Sequence, residues 1–352
     1  MTKHIRALDG LRGVLAFVVM ITHTHQITGH TIFWHGHLAV DFFFLLSGFV
    51  ITEAYGEKLK QGTLSAERFF IVRATRLFPM VVIGAALAGG VSAVVMDGPA
   101  QTIALATISS LFLIPFPWFD DAGGIRDLWK IDPPLWSLFF EVLSNIAFAY
   151  FLYRVPTRWL WRLLGAAFPL LVIVAYYYGT LRLGYDESNI WGGIPRIWYG
   201  FVAGMVLNRL HHANRLPRWR MPMWLLSSIM LSVLCIPTRQ YFPEIELFIV
   251  VIVFPILLMV GLNTNAEKPI WLWSGRISYP LYITHFPILR LIASFHRGLP
   301  FENVMMALFG VICCFTAAAA FLIYFDEPLR KAITKRLQKR WGYRGLQAHA
   351  TP

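Results

Sequence analysis

Apolar residues come in long runs along this chain, and short polar stretches separate them. A helix needs about 20 largely apolar residues to cross a bilayer. Eleven segments approach that pattern: Leu8–Ile27, Leu38–Tyr55, Ile71–Met96, Thr102–Pro115, Trp136–Tyr153, Leu160–Tyr178, Ile194–Leu210, Met223–Ile236, Leu247–Leu262, Ile277–Ser294 and Val304–Tyr324. The pattern predicts an all-α integral membrane protein. No polar linker interrupts the runs, so residues 1–331 are expected to form one membrane domain, followed by a basic cytoplasmic tail over 332–352.

Charge gives the direction of each crossing. Short loops rich in Lys and Arg stay in the cytoplasm. Such loops carry Lys58, Lys60, Arg68, Arg73 and Arg76, then Arg154, Arg158 and Arg162, then Arg209, Arg215, Arg218 and Arg220, then Lys268 and Arg276. The stretches Thr28–His37 and Thr238–Glu244 are nearly free of both and belong outside. By parity, Thr102–Pro115 must begin and end on the outer side. It is short and followed by Pro117, so it is expected to be re-entrant or interfacial. About ten transmembrane helices remain, with both termini cytoplasmic. Arg12 interrupts the first apolar stretch and no small-residue cleavage site follows it. That stretch is therefore expected to stay as a helix of a multi-pass protein of the cell (inner) membrane.

Composition agrees. The chain has 57% hydrophobic and 14% charged residues, against roughly 25% charged in soluble domains. The net charge of +12 fits positive-inside loops and contact with membrane lipids. It does not fit nucleic acid, because no basic patch accompanies a recognisable binding motif. Cys235, Cys313 and Cys314 all lie in apolar runs and read as reduced packing residues.

Ionisable residues inside spans are costly, and they are functional candidates by default. Arg12 and His23 are eleven residues apart in the first segment. They share one helix face, about 16 Å apart along the axis. Arg12 then lies at the cytoplasmic mouth and His23 in the outer half. Asp41 begins the second segment, and Glu141 lies early in the fifth with Ser137 one turn before it. Both segments start outside, so His23, Asp41 and Glu141 are expected to converge as an acid/base set. Arg73 and Arg76 share a face near Arg12's level. A guanidinium fork suits phosphate, and a His with a carboxylate partner suits activation of a hydroxyl.

These residues stand in recognisable motifs. LDGLRG (Leu8–Gly13) precedes His23; GHLAVDFFFLLSGFV (Gly36–Val50) and FIVRATRLFP (Phe70–Pro79) follow. Then come LWSLFFE (Leu135–Glu141), ISYPLYITHFP (Ile277–Pro287) and FDEPLRK (Phe325–Lys331). Together they resemble membrane-bound acyltransferase family 3, whose members O-acylate carbohydrates and some other acceptors. The resemblance spans about Arg6 to Lys331. It implies a ten-helix core, an essential Arg12–His23 pair, and Arg73 and Arg76 in donor binding or activity. Asp41, Glu141 and His285 fall on motif positions. Ser47, Ser137, Tyr282 and His285 are expected to support the site or touch substrate. The implied donor is acetyl-CoA, with its phosphates on Arg12, Arg73 and Arg76. The implied acceptor is a carbohydrate, a lipid-linked sugar or a similar hydroxyl compound. His23 would act as general base or transient acyl carrier, with its tautomer fixed by Asp41 or Glu141. Some members of the family carry an added extracytoplasmic hydrolase-like domain, and here that domain is expected to be absent.

Two other readings compete. Intramembrane His and carboxylates also build proton relays, as in a proton-coupled transporter or exporter, but no internal repeat is visible and the paired arginines stay unexplained. The stretch holding His23, His25, His30, His35 and His37 could suggest a metal, with His35 and His37 the pair able to chelate. It lacks the definite ligand spacing of zinc sites, so no metal is expected.

Overall fold

A computed structural model describes residues 6–117, 127–238, 242–295 and 300–341. These residues form a helical bundle; the one β-type pairing among them is an isolated bridge between Asp127 and Asp186. The helices are α1 (Arg6–His23), α2 (Ala39–Lys60), α3 (Ala66–Val95), α4 (Ala100–Leu111), α5 (Leu135–Tyr150) and α6 (Thr157–Tyr178). They continue with α7 (Gly193–His212), α8 (Met223–Leu234), α9 (Pro243–Asn263), α10 (Pro269–Ala293), α11 (Pro300–Phe321) and α12 (Glu327–Trp341).

Among the described residues, six helical stretches are long and apolar enough to cross a membrane: α1, α2, α3, α6, α9 and the run through α11 and α12. Helices α7 and α10 are long as well, at 20 and 25 residues, but they carry the polar residues of the site. The segment expected to be re-entrant is a helix of only 12 residues, α4. It packs on α3, where a Cβ on Gly89 would lie 2.3 Å from Thr107 Oγ1. The basic tail is helical through Trp341 and joins α11 through a π-helical turn, Leu322–Asp326. Residues 342–352 of that tail lie outside the described residues. A second π-turn, Ile249–Val253, comes just before Pro255, whose missing N–H cannot continue the regular ladder.

Two pairs of helices run side by side in the same direction. In the first pair, Gly13 of α1 lies against the backbone of Ser274 of α10, where an added Cβ would sit 2.6 Å from the Ser274 carbonyl. His23 meets His285 ten residues further along α1 and eleven further along α10. Glycine is needed there because the two backbones come this close. The second pair is α2 with α7. Asp41 meets Arg196, Gly48 lies under the Phe201 carbonyl, and Glu53 meets Asn208. Helices α3 and α5 run in opposite directions, with Phe69 near Phe148 and Arg73 on Glu141.

The segment before α5 does not stay at the rim. Trp129, Ile131 and Asp132 are fully buried, and Tyr282, the fourteenth residue of α10, donates to the Pro134 carbonyl at 3.1 Å. The Pro133–Pro134 corner therefore dips to mid-height in the bundle before α5 starts. This corner decides where the residues of α5 end up.

Candidate functional site

Two cavities lie on opposite sides of this level. The inner one, ≈120 Å³, is lined by Arg12, Arg73, Arg76, Ser47, Glu141 and Tyr279 among others. Arg73 reaches Glu141 Oε1 at 2.5 Å, and Ser47 Oγ lies 3.5 Å from the same oxygen. Arg12 pairs with Asp9 at 3.1 Å. Arg76 makes no ion pair among the described residues. The three guanidiniums are thus gathered as charge parity predicts, and they exceed the carboxylates facing them.

The outer cavity is larger, ≈530 Å³, and is lined by His23, His25, Trp136, Arg182, Arg196 and Arg290 among others. His23 sits here with a partner that the sequence had placed only in support. His285 Nε2 is 3.1 Å from His23 Nδ1. The network sets the tautomers. His285 Nδ1 lies 3.0 Å from the Leu281 carbonyl, which can only accept, so the His285 proton sits on Nδ1. Its Nε2 then carries a lone pair. His23 Nδ1 faces that lone pair and, at 2.8 Å, the Val19 carbonyl. It must therefore carry the His23 proton, which leaves His23 Nε2 with a free lone pair. The ring of Phe286 meets His23 edge-on at 5.4 Å.

Both carboxylates expected beside His23 are elsewhere. Glu141 belongs to the inner cavity and is bound by Arg73. The expectation assumed that its helix starts at the outer surface, whereas the buried Pro133–Pro134 corner starts it halfway down. Asp41 lies at the same end of the bundle as His23, but Arg196 holds both of its oxygens, at 3.0 and 2.6 Å. Arg196 is 1% exposed, donates also to the carbonyls of Leu183 and His37, and lies 4.9 Å from the Trp136 ring centre. Asp41 and Arg196 thus tie α2, α7 and two outer loops together.

Between the cavities stand Val40 and Tyr282, which line both. The Tyr282 hydroxyl lies 2.6 Å from Ser137 Oγ, and both hydroxyls lie 3.1 Å from the Pro134 carbonyl. Ser137 and Tyr282 are thus brought together as structural partners. Behind them, Asp132 meets no hydrogen-bond donor among the described residues. The Asp127 carboxyl, in the loop nearer the outer cavity, is raised by burial first and then by Asp186.

His35 and His37 do approach each other, but both turn onto buried Glu246. His37 Nε2 is 3.0 Å and His35 Nδ1 3.7 Å from Glu246 Oε1. The same carboxylate accepts from Thr180 Oγ1 at 3.1 Å and from the Leu181 amide at 2.5 Å. This cluster joins the loop before α2 to the loop after α6.

Sequence reasoning missed the roles of Arg196 and Val40. Arg196 carried a signal, since it is an arginine near the outer end of a span that starts on the same side as Asp41. Val40 carried none, being an ordinary residue of an apolar run.

A family model described as an acyltransferase domain matches residues 5–325. The chain belongs to this acyltransferase family. It is similar to "Protein 2 in picA locus" of Rhizobium radiobacter, 34% identical over 40% of this chain and 79% of that protein. It is also similar to the peptidoglycan O-acetyltransferase OatA of Listeria monocytogenes, 24% identical over 94% of this chain. The chain spans 56% of the length of the Listeria protein. No solved structure matches the chain.

Proposed function

From membership of that family, we propose that the chain is an integral-membrane O-acetyltransferase that takes its acyl group from cytoplasmic acetyl-CoA and gives it to an acceptor hydroxyl in the outer cavity. About ten helices cross the cell (inner) membrane: the six long apolar ones together with α5, α7, α8 and α10, with both termini inside. The acceptor is a carbohydrate or lipid-linked sugar. One observation carries the reading. Three guanidiniums line one cavity, an imidazole with a free Nε2 lines the other, and a single pair of parallel helices, α1 and α10, connects them.

The roles follow from chemistry. Arg12, Arg73 and Arg76 hold the donor's phosphates at the inner mouth. Glu141 keeps Arg73 in place. The small inner cavity admits a narrow acyl-pantetheine arm, while the nucleotide stays outside it. His23 Nε2 takes the proton of the acceptor hydroxyl as its oxygen attacks the thioester carbonyl. The new C–O bond forms, the C–S bond breaks, and the departing thiolate takes the proton back from the imidazolium. His285 and the Val19 carbonyl hold the Nδ1 proton throughout, doing what a carboxylate would do in a triad.

The test is thiol release from acetyl-CoA by membranes that contain the chain and its native acceptor. His23→Ala should lower release by roughly 10²–10⁴-fold at equal protein level. Unchanged release in that variant would remove His23 from the chemistry.

A further inference from the structure

The donor and the base lie on opposite sides of Tyr282 and Val40, and no other described residue lines both cavities. An acyl group held from the inner side must pass this level to come within reach of His23. We propose that Tyr282 and Val40 form a septum whose width decides which acyl chains pass, so that they are the specificity-determining residues for the donor. The proposal rests on the functional reading above and adds to it the class of acyl group, a short one.

The two sides of the septum differ in stiffness. Tyr282 cannot swing freely, because Ser137 Oγ at 2.6 Å and the Pro134 carbonyl at 3.1 Å hold its hydroxyl. Pro134 is itself rigid, following Pro133 in a buried corner. The Tyr282 ring is also braced edge-on by Phe43 at 5.8 Å and lies 6.1 Å from the His285 ring. Val40, which also lines both cavities, lies in the first turn of α2 and is 5% exposed. Its helix is anchored one residue later by the buried pair of Asp41 with Arg196. A β-branched side chain on an anchored helix turn has few rotamers to choose from. Neither wall can yield to an extra methylene without breaking a hydrogen bond or moving a helix. The inner cavity below, ≈120 Å³, leaves little room for a longer chain to fold back.

The test compares acetyl-, propionyl- and butyryl-CoA as donors in membranes containing the unaltered chain, Val40→Ala, Val40→Ile or Tyr282→Phe. The readout is thiol release above that of His23→Ala. Val40→Ala opens the septum by two methyl groups and should raise the butyryl-to-acetyl ratio of kcat/KM about tenfold or more. Val40→Ile narrows it and should lower acetyl turnover while the KM for acetyl-CoA holds. Tyr282→Phe keeps the ring but frees it from Ser137 and Pro134, and should relax the choice between acetyl and propionyl. Donor ratios that stay the same in both Val40 variants, with release still dependent on His23, overturn the septum alone. Release by the unaltered chain no greater than that of His23→Ala, with every donor, overturns the functional reading and the septum with it.

Discussion

Replacing Asp41 by Ala separates two roles that the motif alone leaves mixed. The Asp41 carboxylate is fully buried and both of its oxygens are taken by Arg196. Removing it strands a guanidinium that is 1% exposed. The carbonyls of Leu183 and His37 and the face of Trp136 remain, but none carries a countercharge. Breaking one partner of a buried pair typically costs roughly 3–5 kcal/mol. Asp41→Asn keeps one acceptor and should cost less, about 1.5–3 kcal/mol for a charge-assisted bond weakened. The double variant Asp41→Leu with Arg196→Met removes both charges and should recover much of the loss. Thermal unfolding of the detergent-solubilised protein, followed by tryptophan fluorescence, gives the order: unaltered chain, double variant, Asn, Ala. Activity should fall in step with the folded fraction. An Asp41→Ala protein that melts like the unaltered chain yet releases no thiol would refute this assignment and return Asp41 to the chemistry.

Other consequences can be measured in the same preparations. His285→Gln can still offer an acceptor oxygen near the place of Nε2 and should retain much of the activity, whereas His285→Ala should lose about tenfold or more in kcat with the donor KM unchanged. Equal activity in the two variants would remove His285 from the role of holding the His23 tautomer. Gly204→Ala puts a Cβ 2.1 Å from the Leu45 carbonyl and should force α2 and α7 apart, costing about 1–3 kcal/mol. Gly165→Ala, in a helix with nothing within 4 Å, should instead be neutral or stabilising by about 0.5–1 kcal/mol; thermal unfolding of both checks the contrast. The Asp127 carboxyl, in the loop before the Pro133–Pro134 corner, is raised in the folded protein by burial and then by Asp186, so the folded state holds that proton more tightly than the unfolded chain. Its contribution to stability is full below the ordinary carboxylate range and is lost as pH rises through the raised value. Melting temperature should therefore fall across that window, and Asp127→Asn should flatten the slope.

Much of this arrangement was legible from hydrophobic runs and charge. The positions of the helices follow from apolar length. The common face of Arg12 and His23 follows from helical period, and the gathering of Arg73 and Arg76 with Arg12 follows from parity. Depth was harder to read. Glu141 went to the wrong cavity because a helix's starting level depends on the segment before it, and that segment is buried here. The Pro133–Pro134 pair marks a corner but says nothing of how far the corner sinks. The partner of His23 was within reach. Parity sends the first segment and the segment Ile277–Ser294 in the same direction, and His23 lies eleven residues past Arg12 while His285 lies nine past Arg276. Preferring a carboxylate as the partner hid that pairing. The grip of Arg196 on Asp41 depends on α2 and α7 lying in contact, through glycines at 48, 200 and 204, and long-range packing of that kind is not written in period or charge.

The central claim is that an acyl group crosses from the arginine-lined cavity to a hydroxyl activated by His23. Sealed inside-out membrane vesicles present the inner cavity to the medium, so acetyl-CoA labelled in its acetyl group can be supplied there. The label should appear in membrane or lumenal material as an ester that mild alkali releases as acetate, and His23→Ala vesicles with the same amount of protein should form almost none. Equal labelled ester in the two preparations would contradict the account.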